Sequence, residues 1–140
     1  MDHSPQQRVE AECRRRGQRA VVDGCARLIG GDYSDVGLIT ALAGRGAAKF
    51  FDGREHDDTY WFRVWGARGL LWAWDGNATG ALTAACRDEP WRVRERAAKV
   101  VARHLVGDLL SAVADLRIDP VPRVRAAADR AVTRLTGEGA

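Results

Sequence analysis

The sequence predicts an all-α protein, an α-α superhelix of about four helical hairpins. Two observations carry the prediction. The stretch from Asp88 to Leu105 recurs in altered form 31 residues later, at Asp119 to Thr136, and more faintly 31 residues earlier, at Asp57 to Trp74. Self-similarity at a fixed period of this length marks a stacked helical array. Within each copy the apolar positions then follow helical spacing: Phe62, Gly66, Gly69, Leu70 and Ala73; Val93, Ala97, Val100, Val101 and His104; Val124, Ala128, Ala131, Val132 and Leu135. Each set makes one buried face, and its many small members allow neighbouring helices to approach closely. At 140 residues the chain suits a single domain, 1–140, and its 46% hydrophobic and 29% charged residues suit a packed core rather than disorder.

Taken in order, 1–5 reads as a tail. Gln6 to Arg16 reads as a helix with Val9 and Cys13 inward and three arginines at its C-terminal end, where cations favour the helix dipole. Gly17 ends it, and Gln18 to Ile29 follows with Val21, Val22, Cys25, Leu28 and Ile29 as its stripe, closed by Gly30-Gly31. These two helices lack the repeat, so 1–31 is expected to be an atypical capping hairpin. Ser34 or Asp35 caps the next helix, whose inward residues are Val36, Leu38, Ile39 and Leu42. An insert from Gly44 to Asp58 adds a further helical turn at Ala47 to Phe51 and then a charged loop. A helix over 59–74 completes the hairpin 34–75. The hairpin 77–105 pairs Ala78 to Arg87 with Glu89 to Leu105, and 106–136 pairs Asp108 to Leu116 with Pro120 to Leu135.

In the 31-residue register an acid falls at Asp57, Asp88 and Asp119, and six residues on an arginine falls at Arg63, Arg94 and Arg125. Each aspartate stands ahead of a helix, where a carboxylate can accept from exposed N–H groups. Pro90 and Pro120 fit the same helix starts. An acid, a short turn and Val-Arg-x-x-Ala-Ala resembles the HEAT repeat, here Asp88 with Val93-Arg94-Glu95-Arg96-Ala97-Ala98, and Asp119 with Val124-Arg125-Ala126-Ala127-Ala128. The first copy departs, with Phe62 for the valine and Gly66-Ala67 for the paired alanines. The run YWFRVWGARGLLWAWD is also similar to small bacterial HEAT-repeat proteins. The resemblance implies an Asp–Arg ladder through Asp88, Arg94, Asp119 and Arg125, with Asp57 and Arg63 as its weaker first rung. It further implies that the second helices line a concave side and that the array is a non-enzymatic binding scaffold.

The register exposes a second pattern. Beside the buried stripe stand Trp61, Trp65, Arg68 and Trp72; then Arg92, Arg96, Lys99 and Arg103; then Arg123, Ala127, Arg130 and Arg134. On helices about 10 Å apart these make a basic surface beginning at an aromatic wall. Such a surface suits an acidic protein segment held by tryptophan anchors. The alternative partner is nucleic acid, with phosphates on the arginines and bases on the tryptophans. Glu95 and Asp129 are placed to tie up some of these cations locally, and the insert is placed to cover Trp61, Trp65 and Trp72. From Pro90 onward ten Lys and Arg face six Asp and Glu, so the repeat half supplies the net charge of +3.

An enzymatic reading rests on Asp58 or Glu55 beside Trp61 and Trp65, a set similar in composition to HEAT-like DNA glycosylases. It remains the minority expectation, and no catalytic residue, cofactor or metal is assigned. His56, Asp57 and Asp58 are adjacent on a loop and cannot all converge on one ion. Cys13, Cys25 and Cys86 form no C-x-x-C pair and are odd in number, which argues for buried thiols rather than a disulfide framework or zinc site. Without an apolar leader or a long apolar run, no membrane segment is expected and the default location is cytoplasmic.

Overall fold

The computed structural model describes residues 3–137. Among these residues all regular secondary structure is helical, with eight α-helices: α1 Pro5–Arg16, α2 Gln18–Ile29, α3 Val36–Ala43, α4 Tyr60–Gly69, α5 Thr79–Ala85, α6 Trp91–His104, α7 Leu110–Asp115 and α8 Pro122–Thr136. Tighter 3-10 turns extend several of them, at Gly44–Phe51 after α3, Gly76–Ala78 before α5, and on both sides of α7. The helix over 59–74 stops five residues early, at Gly69, and the chain runs on through 3-10-like turns to Ala73.

Local chemistry explains the boundaries. Ser4 and Gln7 form a reciprocal capping box ahead of α1, and Pro5 occupies its first position, where the missing N–H costs nothing. Gly17 then takes φ 93°, a value an L-residue with a side chain adopts only under strain, so α2 starts at once in a new direction. Asp35 caps α3 by accepting from the Leu38 N–H at 2.9 Å.

Helices α4, α6 and α8 lie side by side and run the same way. Trp61 sits by Arg92 and Leu70 by His104, while Glu95 meets Arg123. Helix α2 instead packs antiparallel on α4: Tyr33 meets Phe62 with ring centroids 4.8 Å apart, and Gly66 and Gly69 abut Leu28 and Cys25. Helices α1 and α2 pack against each other, and α4 packs on both α2 and α3. The antiparallel partner of α4 is α2, and the segment 34–59 is inserted between them. The reason is steric. A Cβ on Gly66 would stand 3.0 Å from the Cys25 carbonyl oxygen and from Leu28 Cβ, so only glycine lets the two backbones come this close. Helix α3 packs on α4, with Leu42 against Gly69, and reaches α1 through Asp35 and Arg16.

The core runs the length of the described chain and includes Val22, Leu28, Leu38, Leu42, Leu70, Leu82, Val93, Val100, Leu109 and Val124. Cys25 and Cys86 are buried in it and Cys13 is half-buried; all three are free thiols. Burial pushes Cys25 up to about 12 and Cys86 up to about 11, so both remain protonated and inert at neutral pH.

Candidate functional site

Arginines and aspartates at the starts of α4, α6 and α8 fix the relative position of these helices. Arg63 Nε donates to Asp88 at 2.7 Å and Arg94 Nε to Asp119 at 2.8 Å, each with a second bond from Nη2 at 3.1 Å. Each arginine thus reaches forward to the next aspartate with both arms of its fork, the strongest form of carboxylate recognition. Arg94 and Arg125 also donate backwards, to the backbone oxygens of Asp88 and Asp119. The aspartates were expected to cap helices; Asp119 accepts from the Val121 N–H, but neither α6 nor α8 has a side-chain cap. Their carboxylates turn instead toward the preceding arginine. Asp57 stands outside this chain of pairs. It is exposed, and the remaining Nη1 of Arg63 donates to Tyr33 Oη at 2.6 Å. Tyr33 carries no motif signal and comes into place only because α2 pairs with α4.

The tryptophans are largely occupied. Trp65 is only 8% exposed, covered by Phe50 of the insert at 5.8 Å in an edge-on contact. Trp61 is half-buried between Tyr60 and Trp65, and Arg92 lies 5.3 Å over its ring. Trp72 is half-buried, and Trp74 is stacked on His104 at 5.2 Å. Trp91 takes Arg92 at 4.5 Å and Arg123 at 5.2 Å on its ring. It falls at the position of Tyr60 in the 31-residue register, so the repeat itself points to it. Glu95, buried at 4% exposure, pairs with Arg123 at 3.0 Å and Lys99 at 3.7 Å. This end of the basic surface is thus internally matched: Arg92 by aromatic rings, Arg123 by a ring and a carboxylate.

Farther along, Arg96, Lys99, Arg103, Arg130 and Arg134 line one open groove of about 760 Å³ between α6 and α8. Leu71, Ala102, His104 and Ala127 complete its walls. Among the described residues no carboxylate pairs with Arg96, Arg103, Arg130 or Arg134, and Lys99 alone reaches one, Glu95. Asp129 turns away to Arg117 at 3.2 Å. His104 Nε2 donates to the Leu70 carbonyl at 2.7 Å, and burial, with Arg103 nearby, depresses its pKa despite that bond.

Arg68 lies apart from this groove. Its Nη2 donates to the Leu42 carbonyl at 3.0 Å, and Arg8 reaches the same oxygen through Nε and Nη2, both at 3.3 Å. Nothing in the sequence links Arg8 to Leu42, 34 residues on. Burial, reinforced by the charges of Arg96 and Arg8, lowers Arg68 to about 10, so it remains cationic at neutral pH.

In the insert Asp58 is held by Lys49, which with the backbone around it keeps the carboxyl below its usual range, and Asp52 holds His56 at 3.0 Å. The Asp58 carboxylate is thus engaged by Lys49, and Glu55 is exposed. Among the described residues no three His, Cys, Asp or Glu side chains stand together as metal ligands, and no helix is long and apolar enough to cross a membrane. In comparisons with known proteins, no family model, no curated protein and no solved structure matches the chain.

Proposed function

We propose that the chain is a small HEAT-like α-α superhelix that serves as a non-enzymatic scaffold and receives an acidic segment of a protein partner in the groove between α6 and α8. The reading of the repeat is supported by the parallel alignment of α4, α6 and α8 and by the forward Arg63–Asp88 and Arg94–Asp119 pairs. The reading of the partner rests on one observation: Arg96, Lys99, Arg103, Arg130 and Arg134 share a groove with apolar patches at Leu71, Ala102 and Ala127. Unmatched cations over small apolar surfaces suit a peptide that alternates carboxylates with short apolar side chains. Single-stranded nucleic acid would stack its bases on open aromatic faces, and Trp65, Trp74, Trp61 and Trp91 spend theirs on Phe50, His104, Arg92 and Arg123.

The test is a titration of the protein with a fluorescein-labelled Asp/Glu-rich dodecapeptide and, separately, with a single-stranded oligonucleotide of equal charge, at low and near-physiological salt. Saturable peptide binding that weakens roughly tenfold or more in Arg130→Gln/Arg134→Gln fits the proposal, each lost charge-assisted contact being worth about 1–2 kcal/mol. Tighter oligonucleotide binding with a steep salt slope would move the partner to nucleic acid. No response from either at low salt would remove the groove as a binding site.

A further inference from the structure

We infer that the cavity between the starts of α4 and α6 binds a free α-amino acid with an apolar side chain. Tyr60, Pro90, Trp91 and Val121 wall this cavity, Glu89 and Arg92 open onto it, and its volume is about 500 Å³. A mostly apolar lining with a few charged groups, at this size, is the usual make-up of a small-molecule site. Tyr60 and Trp91 occupy the same position in the 31-residue register, the first residue of α4 and of α6, where α8 has Pro122. The aromatic pair is therefore confined to this junction. Both rings are only half-buried, as are Pro90 and Val121, so the core leaves an apolar lining open to a ligand.

The two charges identify the ligand. Glu89 and Arg92 stand three residues apart at one cavity, yet they form no ion pair with each other. Among the described residues neither side chain makes any hydrogen bond or ion pair. Arg92 is held by rings instead, its Cζ 4.5 Å from the Trp91 centroid and 5.3 Å from that of Trp61. Cation–π contact meets the charge through the flat face of the guanidinium. Its five N–H donors lie in the plane, so the rings position the arginine and leave its carboxylate-binding fork unspent. The other cation at the cavity, Arg94, is already used by Asp119 and by the backbone oxygens of Asp88 and Glu89. Glu89 is exposed, with a free carboxylate. An α-amino acid supplies both missing partners from one carbon: its carboxylate accepts from Arg92, its ammonium donates to Glu89, and its side chain lies on the apolar walls. A purely anionic ligand would be repelled by Glu89 and a purely cationic one by Arg92, so the pair selects the zwitterion. The cavity shares no lining residue with the α6–α8 groove and does not depend on what that groove binds.

The probe is L-phenylalanine, titrated into the full chain by calorimetry and by NMR of the tryptophan indole N–H signals, at mildly acidic pH so that α-amines are charged. N-acetylphenylalanine keeps the carboxylate and loses the ammonium, phenylalanine amide does the reverse, and glycine keeps both charges without the apolar group. Phenylalanine should bind saturably and shift the Trp91 indole signal. The acetylated and amidated forms should each lose about tenfold or more in affinity, and glycine should give no response. Glu89→Gln alters an exposed side chain that bonds to nothing, so this variant keeps the fold even if Arg92→Gln does not. It should abolish the advantage of phenylalanine over its acetylated form, and Arg92→Gln its advantage over the amide. Arg130→Gln/Arg134→Gln should leave phenylalanine binding unchanged while weakening the acidic peptide, so the two sites fail separately. No saturable binding at millimolar phenylalanine, an acetylated or amidated form that binds as well, or binding untouched by Glu89→Gln would overturn the site.

Discussion

At the scale of single residues, Asp119 shows what a matched buried charge does here. Burial by itself would raise its carboxyl, but the bonds from Arg94 and the Val121 N–H, with the charges of Arg94 and Arg125, outweigh that and hold it below the usual range. Its side chain is 5% exposed and that of its partner Arg94 15%, so little solvent screens the pair. Asp119→Asn keeps the shape but leaves Arg94 without its anion. The cost should be about 3 kcal/mol, read as a lowered midpoint in urea unfolding with unchanged slope. Asp57→Asn changes an exposed residue outside the chain of pairs and should not move that midpoint. Equal sensitivity at both positions would show that helix capping, not the interhelical pair, is what the aspartates supply. The contrast also separates two roles that the 31-residue register cannot distinguish, since it places all three aspartates alike.

At the scale of elements, the α2–α4 contact sets the architecture of the N-terminal half. Gly66→Ala brings a Cβ to 3.0 Å from the Cys25 carbonyl oxygen, and backbone cannot step aside as a flexible side chain can. Alanine gains up to about 1 kcal/mol in helix propensity, yet overpacking of this kind costs about 1–3 kcal/mol. The net effect should be destabilising, measurable by thermal melting. Gly80, on α5, has nothing within 4 Å of an added Cβ, so Gly80→Ala should instead stabilise. The inserted segment acts as a cover. Phe50 contacts His56, Phe62 and Trp65, so Phe50→Ala opens the Trp65 ring to water. We expect a red shift of tryptophan emission and a loss of about 2 kcal/mol, less than for a fully buried phenylalanine. Emission that stays blue would place the burial of Trp65 with α3 and α4 rather than with the insert.

At the scale of the whole molecule, what the sequence made legible were features periodic in the chain: eight helices, their buried faces, the Arg63, Arg94, Asp88 and Asp119 register, and the alignment of Arg96, Lys99, Arg103, Arg130 and Arg134. What it hid were contacts between segments with no common period. Arg8 at Leu42, Tyr33 at Arg63, and α2 as the partner of α4 all depend on the path of 34–59, which no spacing encodes. The acid response of the molecule combines both kinds of contact. Burial, chiefly, lowers the pKa of His104, which joins α6 to the chain after α4 through Leu70. A histidine with a depressed folded pKa binds its proton more readily when unfolded, so stability falls as the pH drops below the unfolded value near 6.5. Asp35 and Asp119 are depressed although burial opposes it, because arginine and backbone N–H bonds prevail, and Glu12 is depressed chiefly by Arg15. Their contribution is complete above the unfolded carboxylate value near 4 and is lost only as the pH falls through their lower folded values. Urea midpoints measured from pH 7.5 to 3 should therefore decline in two steps. His104→Gln should flatten the upper step and leave the lower one; a single decline confined to below pH 4, unchanged in that variant, would mean that His104 titrates alike in the folded and unfolded chain.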